Sequence, residues 1–155
     1  MFNKKKNKRT ENVELTVLCL VYNKDSILLQ NRVKEDWKGY TLPGGHIERH
    51  EDVSDALKRE VLEETGLIIK DEKLCGVKHF EIENGRYIVF LYKTDNYSGI
   101  LESSSEGEML WVKRSEVSSY NLVPDFLKLL EVMESDSLNE FVYKECDFAL
   151  EAIVK

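Results

Sequence analysis

The chain has 155 residues, 42% of them hydrophobic and 10% aromatic, with a formal net charge of −7. That composition suits one domain with a real core, and the charge excludes a surface that attracts polyanions as a whole, so a nucleotide or nucleic acid would need a local cationic site or a bound metal. The longest apolar run, Val17 to Tyr22, is far too short to span a bilayer, and the three scattered cysteines (Cys19, Cys75, Cys146) show neither a disulfide framework nor ligand spacing, which fits a reducing cytoplasm.

Residues 1–12 open on "MFNKKKNKR", basic and without a following apolar stretch, so they read as a flexible, solvated arm and not a secretory signal. "ELTVLCLVYN" (14–23) is β-branched and apolar and reads as a strand covered on both faces. Lys24-Asp25 makes a turn, and "SILLQNRV" (26–33) is the hairpin partner. In "WKGYTLPGGH" (37–46) one proline and the glycines argue against regular structure. A helix is expected from Asp52 to about Thr65, with Asp52 as N-cap and a buried stripe at Val53, Leu57 and Val61. Gly66 supplies the left-handed residue that stops it. "KLCGVKHFEI" (73–82) and "RYIVFLYKT" (86–94) flank the hairpin turn Asn84-Gly85. "GEMLWVKR" (107–114) is a strand, "SEVSSY" (115–120) a helical turn, and "PDFLKLLEVME" (124–134) a helix with proline in its first turn. "NEFVYKECDF" reads as either strand or loop. Strands and helices mix without a βαβ rhythm, which predicts an α+β fold with a mixed central sheet and no internal linker across 13–155.

The segment "REVLEETGL" (59–67) crowds Glu60, Glu63 and Glu64 onto one helix. At roughly 100° per residue, Glu60 and Glu64 lie about 40° apart, Glu63 lies about 60° to one side, and the apolar stripe overlaps Glu64. Like charges four residues apart repel, and partial burial penalises ionised carboxylates further. Protonation or a bound cation relieves both costs, and three carboxylates are the hard oxygen ligands that Mg²⁺ or Mn²⁺ prefers.

Reading outward from that helix gives Gly45, five residues, Glu51, seven residues, then Arg59-Glu60-Val61-Leu62-Glu63-Glu64-Thr65-Gly66-Leu67. This fits G-x5-E-x7-R-E-U-x-E-E-x-G-U at every position, U being aliphatic, a match expected by chance on the order of 10⁻⁶ or less at ordinary residue frequencies. The chain resembles the Nudix hydrolase superfamily, whose members hydrolyse a nucleoside diphosphate linked to another moiety. The resemblance implies an α/β/α sandwich and a divalent metal, Mg²⁺ with Mn²⁺ as the alternative, held by Glu60, Glu64, Glu63 and the carbonyl of Gly44. It implies that Arg59 pairs with Glu51 to brace the loop, with an outer-shell metal role open for Glu51. It further implies that the base taking a proton from the attacking water would be Glu63 or Glu106, with Glu108 as a competitor to Glu106.

The stretches "WKGYTLPGGH", "GRYIVF" and "EGEMLWV" are similar to MutT-type 8-oxo-dGTP diphosphatases. That similarity implies hydrolysis of (deoxy)nucleoside triphosphates to monophosphate and pyrophosphate, with 8-oxo-dGTP foremost. The implied partner is a small nucleotide. No stable nucleic-acid complex and no membrane are expected, and the protein would be a monomer or homodimer. Arg32 or Lys38 would meet the phosphates, and Trp37, Tyr40, Tyr87 or Phe90 would line a flat apolar slot for the base. An amide both donates and accepts, which suits Asn121 as a base reader, with Asp125 as its alternative. His46 stands where some relatives carry lysine, and His79 is read as a packed or surface histidine. Two further readings stay open: a Nudix enzyme acting on RNA 5′ ends or nucleotide sugars, and a non-catalytic nucleotide-binding domain.

Overall fold

A computed structural model of the chain describes residues 9–155; the basic stretch 1–8 lies outside the described residues. The first strand, β1 (Asn12–Asn23), alternates its side chains between two cores, as a period of two dictates. Leu18 and Leu20 face one cluster, and Val17, Cys19 and Val21 face the other. β1 turns at Lys24-Asp25 into β2 (Ser26–Arg32), as expected. The expected helix forms as α1 (Val53–Thr65) and ends at Gly66, whose φ of 74° is the left-handed conformation a Cβ would oppose. Its buried Ala56, Leu57 and Val61 pack on the second cluster. Each large side chain so buried contributes about 1.5–3 kcal/mol.

The segment 37–46 differs from its expectation. It holds two short strands, β3 (Gly39–Thr41) on β2 and β4 (Gly44–His46) on β1, with the chain stepping between them at Leu42-Pro43. Pro43 lacks an N–H, but its carbonyl accepts from the Cys19 N–H at 3.0 Å. The glycines serve close approach: a Cβ on Gly44 would lie 2.0 Å from the Val17 carbonyl oxygen. Two four-residue strands, β5 (Leu67–Lys70) and β8 (Asn96–Gly99), pair only with each other.

Between them run β6 (Lys73–Ile82) and β7 (Gly85–Thr94), antiparallel about the expected turn. β7 lies parallel to β1 in ten-residue register from Asn12↔Gly85 to Val21↔Thr94. β9 (Gly107–Lys113) pairs with β2, and a 3₁₀ turn (Arg114–Ser119) leads to α2 (Phe126–Glu134). α2 buries Phe126, Leu129, Leu130, Val132 and Met133 in the first cluster. The ambiguous tail is a hairpin, β10 (Glu140–Cys146) and β11 (Ala149–Val154), and β10 adds parallel to β6. The sheet therefore runs β11-β10-β6-β7-β1-β2-β3, mixed in direction, with α1 on one face and α2 on the other. This is the expected α/β/α sandwich. No helix among the described residues is long and apolar enough to cross a membrane.

Candidate functional site

α1 delivers its acids against β4, whose Gly44 and Gly45 line a cavity. Glu64 is buried, 7% exposed, because its side chain falls in the apolar stripe. One carboxylate oxygen accepts the Gly44 N–H at 2.9 Å. Burial pushes its pKa up to about 7, the Gly44 N–H opposes that, and nearby Glu60 and Glu106 push it further up. Gly45 carries no side chain where a Cβ would meet the Glu60 carboxyl carbon at 2.6 Å, so the glycine leaves that carboxylate its room.

Arg59 and Glu51 form the expected brace. The guanidinium donates Nε and Nη2 to the two Glu51 oxygens at 2.7 and 2.9 Å, and Nη2 also donates to the His46 carbonyl at 3.0 Å. Glu51 further accepts the Glu48 N–H at 2.9 Å, and these bonds, led by Arg59, hold its pKa down to about 2. Arg59 Nη1 donates to Glu60 at 2.9 Å and reaches the exposed Glu63 at 3.4 Å. One arginine thus ties the loop before the helix to two of its acids.

Among the described residues no three Asp, Glu, His or Cys side chains close around one point. Glu60 and Glu63 turn to Arg59, while Glu64 turns to Gly44. The chemistry of the donor set nonetheless fits a hard divalent cation: all donors are oxygen, and Glu64 is a buried carboxyl without a cationic hydrogen-bond partner. Glu106 comes close enough to act on Glu64 and is held by Lys34 at 2.9 Å. Glu108 is exposed, in β9 opposite Asn31.

The cavity runs from Gly44 and Gly45 across β1 and β7 to β6 and β10, with a volume of about 1220 Å³. Arg32, Trp37 and Tyr87 line it, as the sequence suggested. Tyr87 stacks on Phe80, with ring centroids 5.0 Å apart and planes 12° apart. Tyr40 does not line it: its ring packs edge-on against Tyr120 at 4.9 Å, because β3 turns that side chain into the α2-side core. Phe90 packs in the α1-side core. Asn121 is exposed and absent from the lining; its carbonyl accepts the Tyr40 N–H at 2.9 Å, a backbone role that leaves the amide outside. Asp125, the alternative, does line the cavity and accepts the Tyr143 hydroxyl at 2.8 Å. Lys38 pairs with exposed Glu35 at 2.8 Å and is not in the lining. His46 Nε2 hydrogen-bonds Glu14 at 2.7 Å and His79 Nε2 hydrogen-bonds Glu140 at 2.8 Å, so His79 is a packed, hydrogen-bonded residue.

Several lining residues escaped the sequence reading: Gln30, Lys78, Phe80, Arg86 and Tyr143. A usable signal existed for one of them. Lys78 shares a strand face with Gly76 and Phe80 in an otherwise apolar register, an odd place for a lysine.

A profile of the NUDIX domain matches residues 13–138. An uncharacterized Nudix hydrolase of Bacillus subtilis, YvcI, is 31% identical over 121 residues, covering 74% of this chain and 75% of that protein. The human 8-oxo-dGDP phosphatase NUDT18 is 30% identical over 129 residues, covering 79% of this chain; the chain spans only 39% of its length. The crystal structure of a MutT protein from Bacillus halodurans superimposes with a TM-score of 0.74 at 28% identity, covering 91% of this chain and 97% of that one.

Proposed function

Because the chain belongs to the Nudix hydrolase family, we propose that it hydrolyses (deoxy)nucleoside triphosphates to monophosphate and pyrophosphate with a divalent metal, Mg²⁺ or Mn²⁺, and that 8-oxo-dGTP is its substrate. One observation carries the reading: Gly44 and Gly45, which lie against the Glu64 and Glu60 carboxylates of α1, line the same cavity as a stacked aromatic wall at Phe80 and Tyr87. The polyanionic end of a nucleotide fits the first region and a flat base fits the second.

In this reading Glu60, Glu64, Glu63 and the Gly44 carbonyl hold the metal, which when bound neutralises the phosphate oxygens and activates the attacking water. Arg59 and Glu51 keep the helix and the glycine loop in register. Arg32 meets the phosphates. Water adds across one P–O–P bridge, and its proton passes to Glu63 or Glu106. Tyr87 and Trp37 hold the base, and Asp125 takes its ring N–H in place of Asn121. The human relative's name favours one second reading, the corresponding diphosphate 8-oxo-dGDP.

The test is a substrate panel with Mg²⁺ and with Mn²⁺, covering 8-oxo-dGTP, 8-oxo-dGDP, ordinary triphosphates, triphosphorylated RNA and nucleotide sugars. We expect pyrophosphate release, fastest with 8-oxo-dGTP. No metal-dependent turnover of any nucleoside triphosphate overturns the proposal. Comparing Glu63→Gln with Glu106→Gln assigns the base, since the true base shows the larger fall in kcat.

A further inference from the structure

The far end of the cavity holds a lysine with no carboxylate in ion-pair contact; Asp125 acts on it only from farther away. Lys78 is 6% exposed, and among the described residues no group pairs with it or accepts a hydrogen bond from it. Its ammonium instead lies over four rings: Phe141 at 5.1 Å, Tyr143 at 5.3 Å, Trp37 at 5.5 Å and Phe80 at 6.0 Å. Ring faces attract a cation but accept no conventional hydrogen bond, so its three N–H donors are left without oxygen partners.

Two neighbours share the deficit. The amide nitrogen of Gln30, a residue 3% exposed, is buried without a partner, and so is Nε of Arg32. All three residues line the same cavity. A buried donor left unsatisfied costs more than a satisfied one returns, so the buried nitrogens of Gln30 and Arg32, beside an ammonium without an oxygen partner, mark a place shaped for acceptors that arrive from outside. Nε of Arg86, also in the lining, is likewise buried without a hydrogen bond, although Glu11 lies 3.0 Å away as its ion-pair partner.

Register fixes where this place lies. Lys78 stands opposite Val89, Val89 opposite Thr16, and Thr16 opposite His46, one unbroken row across four strands. At about 4.8 Å per strand, the α-carbon of Lys78 is roughly 14 Å from that of His46 beside the glycine loop. A ligand with phosphates at Gly44-Gly45 therefore presents its base to Lys78. Two of the four rings, Phe141 and Tyr143, belong to β10, beyond the span matched by the NUDIX profile.

Resting on the reading of this cavity as a nucleotide site, we propose that Lys78 is a specificity-determining residue that donates to a carbonyl oxygen of the base and selects 6-oxopurine over 6-aminopurine nucleotides. Gln30 supplies a second donor on the same side. Asp125 stands across the cavity as the acceptor for the ring N–H, held by Tyr143. A guanine-type edge offers an acceptor next to a donor and meets this pair. An adenine edge sets an amino donor against an ammonium donor and leaves both unpaired, and sites built this way discriminate strongly.

The experiment titrates wild type and Lys78→Met with GMP and with AMP, following the fluorescence of Trp37. Methionine keeps the volume and suits the apolar surroundings, and the other tryptophan, Trp111, packs beside Tyr97 in the α1-side core and gives a steady background. Monophosphates and metal-free buffer keep the acids of α1 out of the measurement. Wild type should bind GMP about tenfold or more tighter than AMP, as a hydrogen bond to a charged group implies. Lys78→Met should lose that preference through weaker GMP binding, with AMP unchanged within twofold. In turnover, the same variant should raise KM for dGTP with kcat within twofold of wild type. If Lys78→Met keeps the wild-type preference, or weakens both ligands equally, the inference is wrong while the nucleotide reading stands. If wild type binds neither monophosphate and hydrolyses no triphosphate, the nucleotide reading itself fails.

Discussion

The two ends of the cavity carry the same defect with opposite sign. At the α1 end a carboxyl, Glu64, is buried 7% exposed, and its pKa rises to about 7. At the β6 end an ammonium, Lys78, is buried 6% exposed; desolvation lowers its pKa to about 8, with Asp125 opposing. The two do not neutralise each other, because β7 and β1 stand between their strands and loops. Each costs the free protein stability, and each is suited to a ligand of opposite character: a cation with a diphosphate at one end, an oxygen-bearing base at the other. A fold selected for stability alone would place leucine or methionine at both positions.

Breaking the acid end should have the largest effect. Glu64→Gln should lower kcat with Mg²⁺ on the order of 10²–10³-fold, measured as pyrophosphate release, because an ionisable oxygen ligand is replaced by a weak neutral one. Unchanged turnover would remove the metal role from that end. Gly45→Ala sharpens the same point without touching an acid. Its Cβ would meet the Glu60 carboxyl carbon at 2.6 Å, and the flexible side chain must swing aside. Activity should fall on the order of 10–100-fold with little change in Tm, as misplacing a reacting group by about an ångström does.

Without metal the acid end should reverse its sign. A carboxyl whose pKa is raised from 4.5 to about 7 gives the fold stability that is complete below 4.5 and lost as pH rises through 7. Glu64→Gln escapes that loss. Its Tm in chelator should match wild type near pH 4.5 and exceed it at pH 8, by at most about 3 kcal/mol of stability. Mg²⁺ with nucleotide should then raise the wild-type Tm more than that of the variant. A lower Tm for the variant at pH 8 would show that the carboxylate stabilises the free fold after all.

The acid end was legible in the sequence and the basic end was not, and the reason is distance along the chain. Glu51, Arg59, Glu60 and Glu64 fall within fourteen residues on one loop and helix, so spacing alone nearly fixes their geometry. The glycines of 37–46 misled because their role, close approach to Val17 and Glu60, depends on strands the local sequence does not contain. The four-residue β5 and β8 were missed for the same reason, since each finds its strand partner in the other, far along the chain. Asn121 is credited in the sequence for its amide, which donates and accepts, yet it is its backbone carbonyl that turns inward, to the Tyr40 N–H. The rings of Trp37, Phe80, Phe141 and Tyr143 reach Lys78 from three separate segments, and Gln30 and Arg32 join them from β2. No periodicity reports a cluster assembled across β10, β6 and β2.

Breaking the basic end should give the smaller stability effect, and its pH dependence should run the other way. A lysine whose pKa is lowered from 10.5 to about 8 leaves the unfolded chain holding more protons than the native one between those values. Native stability contributed at this site therefore rises as pH climbs from 8 toward 10.5, and the burial penalty is fully present below 8. The carboxylate of Asp125 on α2's N-terminal side and the four ring faces offset part of it. Lys78→Met should raise Tm at pH 7 by the equivalent of roughly 1–3 kcal/mol, and the gain should shrink by pH 10, where the wild-type amine is neutral. A calorimetric series from pH 6 to pH 10 checks this. A gain that stays constant across the series would trace to packing and not to charge, and a loss at pH 7 would mean that the rings hold the ammonium more tightly than water does. Glu64→Gln and Lys78→Met in one chain should add within about 0.5 kcal/mol, because the two ends share no partner.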